Sequence, residues 1–473
     1  MSGDYNKNIA VVGGGPGGYA AAFYAADLGM TATLIDEEAN PGGVCLYRGC
    51  IPSKALLHVA VLITEAQHAA QWGIEFGKPK INLDKLRAFK ENVVKKNTGG
   101  LGQLSKQRNV KYIQGLAEIV DGRTLKVAKK SGGEEKLTFD AIILATGSKP
   151  TKIPSLSVDS DRVWDSTSAL DLPSVPKSLL VIGGGYIGLE LGTVYHALGS
   201  KVTVVEMMPG LLPGADRDLV NVLAKRLEAN WEGILLNTKV AEMKEAKDGI
   251  RVKFDGDVKE KEKTFDAVLV SVGRTPNSKI PGLDKTKVKV NKKGFIETDG
   301  QRRTAEPTIF AIGDVAGEPM LAHKASHEAR VAVEAIGGHK TVFEPRAIPA
   351  VVFTDPEIAW AGLTETQAKE QNREYKVARF PWGASGRATA NDRNDGATKL
   401  LIDPATERVL GVGIVGYGAG ELIAEGVLAI EMDCVAGDLR LTIHPHPTLS
   451  ETVMEAAEVY FGQSTHFATA KRK

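Results

Sequence analysis

The sequence predicts an α/β protein with two similar nucleotide-binding βαβ units and a C-terminal α+β region. Three observations support this prediction. A segment of strand, glycine turn, helix and strand occurs twice, about 170 residues apart. After Pro345, short strands and helices such as 350–354, 399–402 and 421–432 follow with no glycine-rich signature. The length of 473 residues suits about three domains.

The first βαβ unit begins with the apolar strand Ile9–Val12 and continues into a predicted helix over 20–28. The second unit begins with Leu179–Ile182. In each unit three glycines follow the first strand, and an acid ends the second strand. These residues are Gly13, Gly15, Gly18 and Asp36 in the first unit, and Gly183, Gly185, Gly188 and Glu206 in the second.

Each glycine in this spacing has a structural role. The first glycine makes a tight turn, the second lets the backbone approach a pyrophosphate, and the third lets the helix pack on the strand. The acid accepts hydrogen bonds from a ribose hydroxyl. One such motif is weak evidence, but two in register predict two Rossmann-like dinucleotide-binding domains.

Cys45 and Cys50 lie just beyond the first unit. Residues five apart on a regular α-helix rise about 7.5 Å, whereas a disulfide requires Cα atoms within roughly 6.8 Å. A bridge between them therefore requires a bent or non-helical backbone, which Gly49 permits. A zinc site would need more ligands nearby, and so small a structural loop would add little stability. We interpret the pair as a redox-active dithiol.

The two units are expected to bind different cofactors. The cysteine pair follows the first unit directly, so FAD is predicted there. In the second unit Glu206 favours NAD, because a carboxylate binds a free 2′-hydroxyl and repels a 2′-phosphate. Met207 and Met208 follow it, and no arginine occurs before Arg217.

Three buried strands mark the expected domain limits. They lie within 139–147, 265–274 and 309–314, and the first two are interpreted as crossover points into and out of the NAD domain. The resulting prediction is an FAD domain over 1–147, an NAD domain over 148–273, a return to the FAD or central domain over 274–345, and a C-terminal domain over 346–473.

Two histidines alternate with prolines near the C-terminus, in the run His444-Pro445-His446-Pro447. A neutral imidazole can accept a thiol proton near pH 7, and Glu451 could orient the ring of His446. A pair of solvent-facing histidines in a rigid turn is the alternative. A helix is predicted to begin near Glu451, capped by Thr448 or Ser450.

Composition narrows the classes of partner. Lysine and arginine number 59 against 58 acidic residues, and without a basic stripe we expect no nucleic-acid partner. We expect no signal peptide and no metal site. We also expect no membrane partner, because no apolar run reaches the length of about 20 residues that a membrane span requires. The scarcity of cysteine indicates a reducing compartment such as the cytoplasm; a processed organelle form remains open. Cys434 is expected to pack as a small hydrophobe.

Over essentially its whole length the chain resembles the dihydrolipoyl dehydrogenases of the pyridine nucleotide-disulfide oxidoreductase family. The Cys45–Lys54 loop and the run from His444 to Glu451 carry most of the resemblance. The other matching segments are both glycine units, 145–147, 313–314, 320–325 and 355–360.

The resemblance implies a role for particular residues. Cys50 would face the flavin, Cys45 would exchange with a substrate thiol, and His446 would be the base, oriented by Glu451. Lys54 would lie near the flavin and pair with Glu190. The remaining implied cofactor-binding residues are Thr146, Gly147, Gly273, Arg274, Asp314, Met320, Leu321, Ala322 and His323.

The resemblance also implies partners. A homodimer is expected, with the C-terminal domain as the dimer interface and the histidine of one subunit reaching the flavin of the other. The substrate would be the lipoyl group of an acyltransferase of a 2-oxoacid dehydrogenase complex or of the glycine cleavage H protein.

Tyr47 and Arg48 replace smaller residues found in many relatives. Arg48 is a cation that could lower the pKa of a nearby thiol or attract an anionic substrate. An NAD(P)H-dependent reductase of another small disulfide is the alternative activity, and a non-catalytic redox-responsive flavoprotein is a third hypothesis.

Overall fold

The computed structural model describes residues 5–468, which form five sheets. The fold class predicted from the sequence, α/β with two Rossmann-like units and a C-terminal α+β region, is confirmed. The first part of the chain contains, in order, β1 (Asn8–Val12), α1 (Pro16–Asp27), β2 (Thr31–Asp36), α2 (Gly43–Arg48), α3 (Cys50–His68), α4 (Leu83–Gln107), β3 (Lys111–Ile119), β4 (Thr124–Lys129), β5 (Glu134–Thr138), β6 (Ala141–Leu144) and β7 (Ser148–Pro150).

The second βαβ unit lies in the middle of the chain. After it the chain runs back towards the N-terminal sheet. In order, this part contains β8 (Val163–Trp164), α5 (Ser166–Leu170), β9 (Ser178–Ile182), α6 (Tyr186–Leu198), β10 (Lys201–Val205), α7 (Arg217–Asn230), β11 (Gly233–Leu235), β12 (Thr238–Ala246), β13 (Gly249–Gly256), β14 (Glu262–Phe265), β15 (Ala267–Val270), β16 (Arg274–Pro276), β17 (Ile309–Ala311) and α8 (Ala322–Ile336).

The C-terminal part alternates short strands and helices around one antiparallel sheet. In order, it contains β18 (Ala350–Val352), β19 (Glu357–Gly362), α9 (Glu365–Glu370), β20 (Lys376–Pro381), α10 (Gly386–Ala390), β21 (Ala397–Ile402), β22 (Val409–Gly416), α11 (Ala419–Glu431), α12 (Ala436–Leu441) and α13 (Glu451–Phe461). Single 3-10 turns occur at Ala69–Trp72, Pro154–Leu156, Leu283–Lys285, Gly313–Val315 and Trp382–Ala384.

The sheet orders show how the chain returns on itself. The first sheet has the order β17-β6-β1-β2-β3-β4-β5, and its strands from β17 to β3 are parallel. A parallel sheet of order β11-β10-β9-β15-β8 forms the second unit. Between these sheets β7 pairs with β16 in antiparallel fashion. The C-terminal sheet has the order β18-β19-β22-β21-β20, and β12-β13-β14 form a small separate sheet.

Two local expectations are adjusted by the structure. Helix α1 begins at Pro16 rather than Ala20, because Gly17 and Gly18 lie in its first turn and Pro16 suits a first helical position. Helix α13 begins at Glu451 as predicted, but neither Thr448 nor Ser450 caps it through its side chain. Their hydroxyl groups instead lie 2.9 Å from each other.

One helical segment, Gly43–Trp72, is long and apolar enough to cross a membrane by length and composition alone. The segment contains the charged residues Arg48, Lys54 and Glu65, so it is not the uninterrupted apolar run that the sequence prediction excluded. The α3 part of the segment packs against α4 and α6. A single such helix is weak evidence, since helices in the core of a globular protein pass the same test.

A buried lysine joins the second unit to the C-terminal sheet. Lys399 on β21 has a side chain that is 1% exposed, and its Nζ lies 2.7–2.8 Å from carboxylate oxygens of Asp216, Asp218 and Glu365. Asp216 immediately precedes α7, and Glu365 begins α9. Because a buried charge is tolerated only when it is paired, this cluster fixes α7 relative to the C-terminal sheet.

Candidate active site

The first glycine turn is shaped for close packing at two positions and left open at the third. Gly13 has φ +104°, and a Cβ there would lie 2.3 Å from the carbonyl oxygen of Ala145. A Cβ on Gly18 would lie 1.8 Å from the carbonyl oxygen of Gly13, so only glycine allows α1 to pack on the strand. At Gly15 a Cβ would meet nothing within 4 Å, which leaves room for a ligand at the N-terminus of α1.

The second glycine turn repeats this arrangement. Gly183 has φ +103°, and its Cβ would lie 2.6 Å from the carbonyl oxygen of Ser271. A Cβ on Gly188 would lie 2.5 Å from the carbonyl oxygen of Gly183, whereas a Cβ on Gly185 would meet nothing within 4 Å. Both turns therefore present backbone amides to open space at the start of a helix.

The acid at the end of each second strand is held by the glycine turn beside it. Gly14 N donates to Asp36 Oδ2 at 2.5 Å, and Gly184 N donates to Glu206 Oε2 at 2.7 Å. The other oxygen of Asp36 accepts from Glu38 N at 2.9 Å, and that of Glu206 accepts from Met208 N at 2.8 Å. Burial raises the pKa of Asp36. Both carboxylates are thus fixed beside the loop that would hold a dinucleotide.

The side chain of Arg217 hydrogen-bonds to backbone carbonyl oxygens in the loop that follows Glu206. Its guanidinium donates to the carbonyl oxygens of Leu211 and Leu212 at 2.6 Å and of Ala215 at 2.5 Å. Leu212 N in turn donates to the carbonyl oxygen of Gly184 at 3.0 Å. This arginine therefore closes the loop over the glycine turn instead of offering a free cation to a phosphate.

A cavity of about 790 Å³ runs from the first glycine turn to the redox cysteines. Its volume is in the range of about 300–1,000 Å³ typical of ligand sites. Of the predicted site residues it is lined by Gly13, Gly15, Asp36, Cys45, Cys50, Lys54, Thr146, Gly147, Glu190, Arg274, Asp314, Met320 and Ala322. The glycine turn, the acid and the elongated cavity fit a dinucleotide such as FAD.

The remaining predicted residues lie outside the cavity lining. His323 contacts the carbonyl oxygen of Pro349 through Nε2 at 2.8 Å, and Leu321 precedes α8. Gly18 has the packing role described above. The others belong to the second nucleotide unit or to the C-terminal run: Gly183, Gly185, Gly188, Glu206, Gly273, His446 and Glu451.

The two cysteines lie on consecutive helices. Cys45 is in α2 and Cys50 begins α3, and the helical backbone is interrupted between them at Gly49, with φ −145° and ψ −115°. This is the bend that the cysteine spacing requires. A Cβ on Gly49 would lie 2.8 Å from the carbonyl oxygen of Val44, so the close approach of α2 to the start of α3 depends on glycine.

Cys45 and Cys50 are free thiols that differ in acidity. A hydrogen bond between the two side chains, in which Cys45 donates, raises the pKa of Cys45 and lowers the pKa of Cys50 to about 7. Burial opposes the second effect, and the charge of Lys54 adds to it. Cys50 is therefore the more acidic of the two thiols.

Lys54 is one helical turn from Cys50 and forms an ion pair with Glu190 of α6. Lys54 Nζ donates to Glu190 Oε2 at 2.7 Å, and Ser53 Oγ donates to the same oxygen at 3.0 Å. The Glu190 side chain is only 4% exposed. The pair joins the first unit to the second directly beside the cysteines.

The expectation that Arg48 acts on the thiols is not supported by its contacts. Its guanidinium pairs with Glu38, and both residues line the cavity. Lys54 is the cation that lowers the pKa of Cys50. Tyr47 likewise turns away, because its hydroxyl contacts the backbone of Asn40. Tyr47 thus serves local structure, whereas Arg48 also lines the cavity.

Several residues that support the site have no recognisable sequence motif. Ser148 Oγ donates to Asp314 Oδ2 at 2.5 Å and accepts from Arg274 Nε at 2.7 Å. The buried carboxylate of Glu328 accepts from Gly313 N at 2.6 Å and so fixes the turn that carries Asp314. The i, i+4 spacing of Lys324 and Glu328 on α8 is the one local signal that could have indicated this anchor.

The C-terminal histidines form two distinct pairs. His446 Nδ1 lies 2.8 Å from Glu451 Oε1, and Thr448 N donates to the other oxygen at 2.7 Å. Although burial opposes ionisation of Glu451, these two hydrogen bonds lower its pKa. Since a carboxylate only accepts, Nδ1 carries the proton and Nε2 presents its lone pair. The His446 side chain is 68% exposed and has no part in the cavity that contains the cysteines.

His444 is held at both nitrogens. Its Nε2 lies 2.7 Å from Glu425 Oε1 on α11, and its Nδ1 lies 2.9 Å from the carbonyl oxygen of Thr442. The side chain is only 4% exposed. His444 therefore attaches the proline-rich turn to α11, while His446 is presented to solvent.

The chain matches two family models. Residues 7–329 match the pyridine nucleotide-disulphide oxidoreductase family, and residues 348–457 match the dimerisation domain of the same family.

Curated relatives of similar length are named dihydrolipoyl dehydrogenase. The protein of that name from Haemophilus influenzae is 49% identical over 473 residues, which covers 100% of this chain and 99% of the relative. The one from Vibrio cholerae is 48% identical over 474 residues, with coverage of 100% and 99%.

Two solved structures are similar over nearly the whole chain. LpdA from Mycobacterium tuberculosis has a TM-score of 0.88 at 27% identity and covers 95% of this chain and 99% of its own. RclA from Escherichia coli, an HOCl-induced flavoprotein disulfide reductase, has a TM-score of 0.83 at 27% identity, with coverage of 94% and 98%.

Proposed function

The chain belongs to the pyridine nucleotide-disulphide oxidoreductase family, and from this premise we propose that it oxidises dihydrolipoyl groups to lipoyl groups and reduces NAD. It is an enzyme of the dihydrolipoyl dehydrogenase type, which depends on FAD and NAD. The single observation that carries the assignment is the Cys45–Cys50 dithiol beside the Lys54–Glu190 pair, in a cavity that begins at a dinucleotide-binding turn.

The first glycine turn, Asp36 and Asp314 are the residues that would hold FAD. The open space at Gly15 and the cavity that continues to Cys50 support this assignment. FAD, when bound, supplies the two-electron chemistry that connects a dithiol to NAD. The second turn, with Glu206, would hold NAD.

The sulfur chemistry follows from the different acidities of the two cysteines. A thiolate of the substrate attacks Sγ of Cys45 in the oxidised enzyme, so the Cys45–Cys50 bond breaks and Cys50 leaves as a thiolate. The low pKa of Cys50 makes it the better leaving group. The second substrate thiol then displaces Cys45, which closes the lipoyl disulfide and leaves both enzyme sulfurs reduced.

His446 is the proposed base for these thiols. Its Nε2 accepts the proton of the attacking thiol, and Glu451 orients the ring and stabilises the imidazolium that forms. The protein is a homodimer, and we propose that His446 serves the dithiol of the other subunit. Its 68% exposure supports this arrangement, as do the apolar side chains Leu441 and Ile443 beside it, which are 74% and 94% exposed.

The substrate class is tested by comparing three substrates in the steady state. We expect kcat/KM for dihydrolipoamide with NAD to exceed the values for glutathione disulfide and coenzyme A disulfide, measured with NADH or NADPH, by at least about 100-fold. Preferred reduction of either small disulfide would reject the proposal in favour of a small-disulfide reductase.

Glu206→Arg is expected to lower kcat/KM for NAD by about 10- to 100-fold and to move the preference towards NADP. The substitution removes the ribose acceptor and supplies a cation, which Arg217 cannot provide because its guanidinium is bound to the backbone. The measurement is dihydrolipoamide oxidation with each coenzyme.

Glu232→Arg is the matched control for this prediction. Glu232 lies in the same unit, is exposed and pairs with Lys201 at 3.6 Å. The Glu232→Arg substitution should leave the NAD preference unchanged. An unaltered preference in Glu206→Arg would mean that the coenzyme site has been assigned to the wrong acid.

The physiological partner is proposed to be a lipoylated acyltransferase of a 2-oxoacid dehydrogenase complex or the glycine cleavage H protein, because the proposed substrate is a dihydrolipoyl group. We also propose the cytoplasm as its location, since three cysteines in 473 residues suit a reducing compartment.

The proposed domain limits remain 1–147, 148–273, 274–345 and 346–473. The pairing of β17 with β6 supports the return of the chain to the first sheet after the second unit.

A further inference from the structure

Phe353 belongs to the C-terminal part of the chain and yet contacts the ion pair beside the redox cysteines. It follows β18 by one residue. Its backbone N donates to Glu190 Oε1 at 3.1 Å, and Lys54 Nζ lies 4.3 Å from the centroid of its ring. One residue thus contacts both members of the Lys54–Glu190 pair, and the Nζ–centroid distance is within the range of a cation–π contact.

The two contacts act on the ion pair in complementary ways. The oxygens of Glu190 are divided between two elements: one accepts from Lys54 and Ser53 on α3, and the other accepts from the Phe353 backbone. The ring face attracts the ammonium electrostatically, and this attraction is stronger where water is excluded. Glu190 is nearly buried and Lys54 is one-third exposed, so the ring replaces part of the hydration of the ammonium.

The position of this ammonium matters because its charge favours the ionised form of Cys50. A lysine side chain has several rotatable bonds and a mobile charge. The ion pair with Glu190 fixes it on one side only, and the Phe353 ring provides a second, apolar contact.

We propose that Phe353 is a positioning residue that holds the Lys54 ammonium against Glu190 and within reach of the Cys50 thiolate. This inference rests on the proposed function, in which Cys50 is the sulfur that faces the flavin. It assigns to the C-terminal part of the chain a direct influence on the redox centre, separate from the contribution of His446.

The test follows the ionisation of Cys50 in the holoenzyme. Wild type, Phe353→Leu and Phe353→Tyr are reduced by two electrons, and the long-wavelength thiolate–flavin absorbance is titrated against pH. In Phe353→Leu the midpoint should rise by about 0.5 to 1 pH unit, because the thiolate loses part of its compensating charge. Phe353→Tyr keeps the ring and should retain the wild-type midpoint.

Two further variants separate positioning from packing. Phe89→Leu makes the same change at an exposed ring on α4 and should not move the midpoint. Phe353→Met keeps most of the side-chain volume without a ring and should show the same rise as Phe353→Leu, so the test stands even if the leucine variant folds poorly.

A double-mutant cycle identifies the route of the effect. In a Lys54→Met background the ring has no ammonium to hold, so Phe353→Leu should cause no additional shift. An equal shift in both backgrounds, or an unchanged midpoint in Phe353→Leu and Phe353→Met, would overturn the inference. A wild-type enzyme with neither the thiolate absorbance nor dihydrolipoamide oxidation would instead refute the proposed function.

Discussion

Cys45→Ser is expected to abolish dihydrolipoamide oxidation, with a loss of at least about 10³-fold in kcat/KM. Serine cannot form a disulfide with Cys50, so the substrate thiolate has no sulfur to attack. FAD should remain bound, because the glycine turn and the acid at Asp36 do not depend on this side chain. The measurements are the steady-state rate with NAD and the flavin absorbance of the purified variant.

Cys434→Ser is the matched control for this change. Cys434 follows α11, and its carbonyl oxygen accepts from Val409 N at 3.0 Å, so its position is fixed by the backbone rather than by its sulfur. It does not line the cavity and should retain wild-type turnover. Full activity of Cys45→Ser would exclude Cys45 as the exchanging sulfur.

His446→Gln is expected to slow the oxidation of dihydrolipoamide by about 10²- to 10⁴-fold, the usual contribution of a general base. Glutamine keeps a polar side chain but cannot accept the thiol proton as imidazole does. Transfer of electrons from NADH to an artificial dye does not use this base and should be nearly unaffected. Equal losses in both assays would argue against the role of His446.

His339→Gln is the control for this second prediction, since His339 contacts Tyr5 at 2.6 Å and lies far from the proline-rich turn in sequence.

Mixed dimers test whether the base acts across the interface. When the Cys45→Ser and His446→Gln chains are randomly combined, half of the dimers contain one intact site, so about a quarter of wild-type activity should return. Absence of recovery would place the base and the dithiol in one subunit.

The local features of the fold were predictable from the sequence because they follow from spacing. The glycine turns at Gly13 and Gly183 require positive φ, and each acid lies 23 residues beyond its first glycine. The bend at Gly49 follows from the helix rise and the reach of a disulfide. The start of α13 at Glu451 was also predicted.

The long-range contacts of the site could not be predicted, because no periodic pattern connects residues so far apart in the chain. Ser148 meets Arg274, and Phe353 meets Glu190, only after the sheets have formed. Length and composition alone do not show whether Gly43–Trp72 crosses a membrane, since a helix that packs against other helices can also be rich in apolar residues.

The matched bonds from Gly14 to Asp36 and from Gly184 to Glu206 belong to two separate turns. A substitution at Glu206 therefore changes the acid of the second turn and leaves the bond from Gly14 to Asp36 intact. For protein engineering, this means that the coenzyme selectivity proposed for the second turn can be altered without rebuilding the first.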